Sequence, residues 1–140
     1  MGGGVAGMTT TTEKRILVTG SRKLTNDHAV LDVLDQVLGP ALSDGLDIIV
    51  VQGECPYGGV DKAAEMWALK TPGAISEGHP ADWVQHGRAA GVIRNGEMVA
   101  LGADLCLAFP RVGSRGTWDC IRKAADAGIP VRIYPLGLPV

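Results

Sequence analysis

Apolar and polar positions divide the chain into two kinds of stretch. Short aliphatic runs at residues 15–20 (RILVTG), 47–53 (DIIVVQG) and 104–110 (DLCLAFP) end in glycine or proline and read as strands buried on both faces. Between and after them, apolar residues recur at three- and four-residue spacing: Val30, Leu31, Leu34, Val37 and Leu38; then Val60, Ala63, Ala64, Trp67 and Ala68; then Trp118, Ile121, Ala124 and Ala125. Each set predicts an amphipathic helix with those residues turned inward. Thr25, Asn26 and Asp27 offer a cap to the first, Gly39 and Pro40 are expected to stop it, and Gly128 and Pro130 end the last. Residues 74–77 predict a short third strand near a sheet edge, and residues 131–134 a final strand.

Residues 81–102 (ADWVQHGRAAGVIRNGEMVALG) hold a weaker helical pattern, because Gly87, Gly91 and Gly96 each cost about 1 kcal/mol relative to alanine. These glycines are expected to admit another backbone or a ligand at close range. The alternation predicts an α/β fold: one Rossmann-like, doubly wound domain of five parallel strands, order 3-2-1-4-5, flanked by four helices. The switch point then falls between the first and fourth strands, where open parallel sheets bind ligands.

Length supports one domain. A chain of 140 residues builds one core of ordinary size. Residues 1–13 (MGGGVAGMTTTTE) offer too little apolar surface to pack and are expected to be a flexible tail, residues 14–135 the folded domain, and residues 136–140 a second tail or edge cover. Hydrophobic residues make up 46% and charged residues 20%, which suits a water-soluble fold, and with one Phe, two Tyr and three Trp the core must be largely aliphatic.

A net charge of −2 gives no general attraction to nucleic acid. Cys55, Cys106 and Cys120 form no CxxC pair, and His28, His79 and His86 complete no ligand pattern, so neither a metal site, nor a disulfide framework, nor any cofactor is expected. No apolar run approaches a membrane span and the leading residues lack an export pattern, which makes the cytoplasm the expected compartment.

The candidate chemistry lies at the strand ends. Gly113 and Gly116 carry the chain from the strand ending at Pro110 into a helix, and a turn of this kind aims free backbone N–H groups and the positive helix end at one point. Ser114, Arg115 and Thr117 add hydroxyls and a charge. Gly20, Ser21 and Arg22 follow the first strand; Gly53, Glu54, Gly59 and Asp61 follow the second; Arg94 and Asn95 stand in the glycine-interrupted segment. Asp61 falls in the first turn of a helix, where a carboxylate complements the dipole, the more frequent use of such a residue. Trp118 is read as core or as a surface for stacking a base.

Taken together, RILVTGSR, VVQGECPYGGVDKAAEMWA, HPADW, GRAAGVIRNGEM and LAFPRVGSRGTWDCIRKAADAGIPV resemble the SLOG superfamily, and within it the YspA, or cpYpsA-related, group of small bacterial and phage proteins. The resemblance runs from about residue 15 to residue 131. It implies a nucleotide-type ligand held by the GxxGT loop at Gly113, Gly116 and Thr117, and self-association as a homodimer. Related LOG phosphoribohydrolases carry a PGGxGTxxE signature and an upstream RKxxM segment whose arginine, with the glutamate, serves cleavage of an N-glycosidic bond. Arg94, Asn95 and Met98 match that segment with asparagine in place of lysine; Ser114 replaces the second glycine of the loop, and Cys120 stands where the glutamate belongs. Asp119 is adjacent but turned by about 100° on a helix.

Arg94 and Asp119 are accordingly the catalytic candidates. The missing glutamate favours a binding module, sensor or adaptor, over a LOG-like nucleotide hydrolase. Single-stranded DNA binding, by similarity to the Rossmann-like domain of DprA, is a third expectation, opposed by the acidic charge.

Overall fold

The computed structural model describes residues 12–137. Strands β1 (Glu13–Gly20), β2 (Asp47–Gln52), β3 (Ala74–Gly78), β4 (Leu105–Phe109) and β5 (Val131–Ile133) alternate with helices α1 (His28–Ser43), α2 (Gly59–Lys70), α4 (Ala90–Ala100) and α5 (Arg115–Asp126); a short α3 (Trp83–His86) and a 3-10 turn (Gly87–Ala89) precede α4. All five strands are parallel and lie in the order β3-β2-β1-β4-β5, so the switch point is at the β1/β4 boundary. This is the architecture that the hydrophobic pattern predicts.

Alternation along β1 divides the core. Ile16 and Val18 face α1 and α2 with Val30, Leu34, Val60 and Trp67, whereas Leu17 faces α4 and α5 with Met98, Val99, Cys120 and Ala124. Burial on both sides explains why the central strands contain almost only aliphatic residues. Arg15 of β1 reaches across β2 to Glu77 of β3 with two parallel hydrogen bonds of 2.9 and 2.8 Å, fastening the edge strand to the centre.

Several boundaries differ from the sequence reading. Helix α1 runs through Gly39 and Pro40 to Ser43, because Ala41 and Leu42 pack on the core and hold the extra turn in place despite the missing proline N–H. Its stop is Gly45, at φ 84°: the Gly45 N–H donates to Leu42 O and the Leu46 N–H to Ala41 O, each at 3.0 Å, a complete Schellman closure. In α5 the buried stripe is Thr117, Cys120, Ile121 and Ala124. Trp118 and Ala125, expected inward, are exposed, Trp118 by 47%.

Helix α4 forms in spite of its glycines, and nothing lies within 4 Å of where a Gly96 side chain would sit, so no close approach explains that residue. The expected tail at residues 1–13 falls mostly outside the described residues, although Glu13 already pairs with Asp47. Leu136 donates its N–H to Pro110 O at 2.8 Å and packs on the core.

Candidate functional site

A cleft of about 640 Å³ opens at the carboxyl ends of β1 and β4, where the topology leads chains apart and leaves a crevice. Backbone hydrogen bonds shape one wall. Ser21 donates to Phe109 O at 3.1 Å and accepts from Val60 N–H at 2.9 Å, which ties the loop after β1 both to β4 and to the start of α2. Gly59, at φ 71°, permits this: a side chain there would run into Ser21 O and the Arg22 backbone. Gly59 is therefore a spacer behind the wall, and it does not line the cleft.

The turn before α5 forms the opposite rim. Gly113 has φ 83°, Ser114 Oγ accepts from Arg111 N–H at 2.9 Å, and Arg115 N–H donates to Gly113 O at 2.8 Å. Among the described residues, the N–H groups of Gly116 and Thr117 have no acceptor. Pro110 is buried behind this rim, outside the lining.

The two rims are joined by α4. Arg94 donates from Nη1 to Gly53 O and, at 3.3 Å, to His79 O, and from Nε to Asn95 Oδ1 at 3.1 Å. Gly53 makes room, since any side chain there would occupy the guanidinium's position. Asn95 in turn donates from Nδ2 to Gly116 O and to Asp119 Oδ2, both at 3.1 Å. Asp119, one of the two catalytic candidates, is thus placed behind Asn95 and away from the cleft lining. Its carboxylate also accepts from Arg122 at 2.9 Å and Lys123 at 2.8 Å. Burial pushes its pKa up, but the hydrogen bonds from Lys123 and Asn95 outweigh it and keep the group below its ordinary value. A carboxylate so engaged orients Asn95 and is not free to move a proton. Cys120 is buried as well, its thiol pushed up to about 11 chiefly by burial.

Asp61, unlike Asp119, reaches the cleft. It is 9% exposed and accepts from Cys55 N–H at 3.2 Å. Burial raises its pKa to about 6, against the opposing charge of Arg94, the amides of Cys55 and Gly53, and Arg22. Beside it Glu54 adopts φ 48°, an uncommon value for a side-chain-bearing residue, with its N–H bonded to Gln52 Oε1 at 2.5 Å. Around these two acids stand five cations: Arg22, Lys23, Arg88, Arg94 and Arg115.

Of the residues singled out in the sequence, Gly20, Ser21, Arg22, Gly53, Glu54, Asp61, Arg94, Asn95, Gly113, Ser114, Arg115, Gly116 and Thr117 come together in the cleft lining. Trp118 does not. Trp83, Cys55, Met98 and Arg88, which are not among the sequence's site candidates, also line it, Arg88 being expected there only as solvated surface. Trp83 lies on a four-residue helix that buries none of its side chains, so no periodicity announces it. Among the described residues, no cluster of three His, Cys, Asp or Glu groups converges as a metal site.

A family model described as YspA, cpYpsA-related SLOG matches residues 14–86, which span β1 to α3 and so include the first and second loops of the cleft. The chain belongs to the YspA, cpYpsA-related SLOG family. A relative, the Gene 61 protein of Mycobacterium phage D29, is 43% identical over 122 residues, which cover 84% of this chain and 94% of the phage protein. A crystal structure of the C-terminal domain of a hydrogenase from Pyrococcus furiosus aligns with 86% of this chain and 89% of its own at 17% identity, with a TM-score of 0.46, too loose a likeness to bear on function. The SLOG match ends before α4 and α5, so the rim at Gly113–Thr117 and the Arg94–Asn95 bridge rest on this chain's own geometry.

Proposed function

We propose that this SLOG protein binds a nucleotide or nucleotide-derived phosphorylated ligand in the cleft and acts as a sensor or adaptor. One observation carries the reading: a chain of net charge −2 gathers five cationic side chains and two open amides around a single crevice. Five cations against the two carboxyls of Glu54 and Asp61 leave an excess of positive charge in the crevice, which favours an anionic ligand. Phosphoryl oxygens suit guanidinium forks and a helix-opening turn alike. The volume, about 640 Å³, lies in the range of small-molecule sites.

Calorimetry against nucleoside mono- and diphosphates tests the proposal. Arg115→Ala, at an exposed position, is expected to weaken binding by roughly tenfold without lowering thermal stability. Failure of every nucleotide to bind or to stabilise the protein would remove the reading.

The position of Asp61 favours a second reading, hydrolysis of the N-glycosidic bond. A carboxyl that titrates near neutrality inside the cleft is suited to take a proton from an attacking water or give one to a departing base. Release of free base, followed by chromatography and lost in Asp61→Asn, distinguishes the enzyme; intact nucleotide after long incubation leaves the binder.

A further inference from the structure

The cleft contains a feature that phosphate chemistry does not explain. Trp83 lines it with 41% of its surface exposed, in a chain with only six aromatic residues, one Phe, two Tyr and three Trp. One edge of the indole lies 3.8 Å from where a Gly91 side chain would begin, an ordinary packing distance. The Arg22 guanidinium stands 5.7 Å from the Trp83 centroid and 5.8 Å from that of Tyr57, which is also exposed. Among the described residues Arg22 makes no ion pair. Among the described residues two exposed rings flank its guanidinium, and Asp61 attracts its charge from within the cleft.

We propose that Trp83 is the platform on which the planar base of the ligand stacks, and that Arg22 leaves the indole for the ligand's phosphate. This rests on the nucleotide reading above and narrows it. A guanidinium and a nucleobase are both flat and compete for the same π face. The base covers more apolar surface, and a cation displaced from the ring gains an anionic partner in the same cleft. The site therefore requires base and phosphate on one molecule. It selects an intact nucleotide over a sugar phosphate, because a sugar phosphate cannot displace Arg22 from the ring.

The test compares AMP, GMP, CMP and UMP with ribose 5-phosphate by calorimetry and tryptophan fluorescence. Trp83→Ala is expected to weaken the best nucleotide by about tenfold, the usual scale of base–aromatic stacking, while ribose 5-phosphate binding stays unchanged. Trp83→Phe should retain most of the nucleotide affinity, and Arg22→Ala should weaken the nucleotide while leaving ribose 5-phosphate binding unweakened. Quenching on nucleotide binding should vanish in Trp83→Phe. Nucleotide binding that is indifferent to Trp83→Ala, or a loss shared equally by ribose 5-phosphate, overturns the platform and leaves the nucleotide reading standing. If no nucleotide binds the wild-type protein, both fall together. Trp83 supports no core cluster, and matching melting temperatures of the variants exclude a folding defect.

Discussion

Asp61 ionises reluctantly although Arg94 and Arg22 attract its charge, because the loss of water around a buried carboxylate outweighs both. Its sign of linkage follows. The folded group keeps its proton up to about pH 6, whereas the unfolded one releases it near 3.8, so stability falls as pH rises through that window and the full cost is present at pH 7. Asp61→Asn removes a penalty on the order of 3 kcal/mol. Its melting temperature should exceed that of the wild type at pH 7.5 and converge with it below pH 4, as thermal scans across pH will register; a gap that widens in acid would contradict the assignment. The same ionisation acts on the ligand, since a proton on Asp61 removes a negative charge from the cleft. Nucleotide affinity should rise as pH falls through 6 and be flatter in Asp61→Asn. Cys55 offers a further readout. It is the half-buried cysteine in the cleft lining, whereas burial pushes the Cys106 thiol up to about 12 and the Cys120 thiol to about 11. An alkylating reagent should therefore modify Cys55 first, and a bound nucleotide should protect it.

Two glycines of the first helix and its end have opposite uses at the scale of an element. Gly39 lies inside α1 with nothing within 4 Å of a would-be side chain, and its freedom only costs the helix entropy. Gly45 closes the same helix at φ 84°, which an L side chain resists. Gly39→Ala should stabilise the protein by about 0.5–1 kcal/mol and Gly45→Ala destabilise it by about 1 kcal/mol or more; denaturant titrations that give both the same sign would undo this account of the helix end. The sequence reading took Gly39–Pro40 as the stop because proline normally breaks a helix. What it could not weigh was the packing of Ala41 and Leu42 on the sheet, a tertiary gain. The error at Trp118 has a similar root: the expected face, 118/121/124/125, and the buried one, 117/120/121/124, share Ile121 and Ala124 and are turned from each other by less than the ~100° of one residue. Packing against α4, β1 and β4 selected the second.

At the scale of the whole molecule, the pair between Arg15 and Glu77 spans the sheet from β1 to β3. The two Arg15 hydrogen bonds, with His79 adding a third, lower the Glu77 pKa to about 2. A depressed carboxylate contributes stability that is present above its unfolded value of 4.5 and lost as pH falls toward 2. Because both side chains are about a third exposed, solvent screening reduces the contribution to about 1 kcal/mol. Glu77→Gln should lower stability by that amount at pH 7 and by much less at pH 2, measured by urea unfolding; an undiminished difference in acid would exclude the pair as its source. The cleft is a property of this same scale. Its cations come from the loop after β1, the turn after β4 and the segment around α4, and none of them would attract an anion strongly by itself.

Local sequence determined the element types, their order and the parallel sheet, because hydrophobic period and glycine punctuation are written residue by residue and crossover handedness leaves few topologies. It also marked the strand-end loops that meet at the switch point. Tertiary structure decided which side chains face one another. The withdrawal of Asp119 behind Asn95, the burial that holds a proton on Asp61, and the meeting of Arg22 with Trp83 all join residues far apart in the chain, and the dielectric and hydrogen-bond partners that set their chemistry exist only once those segments are packed together.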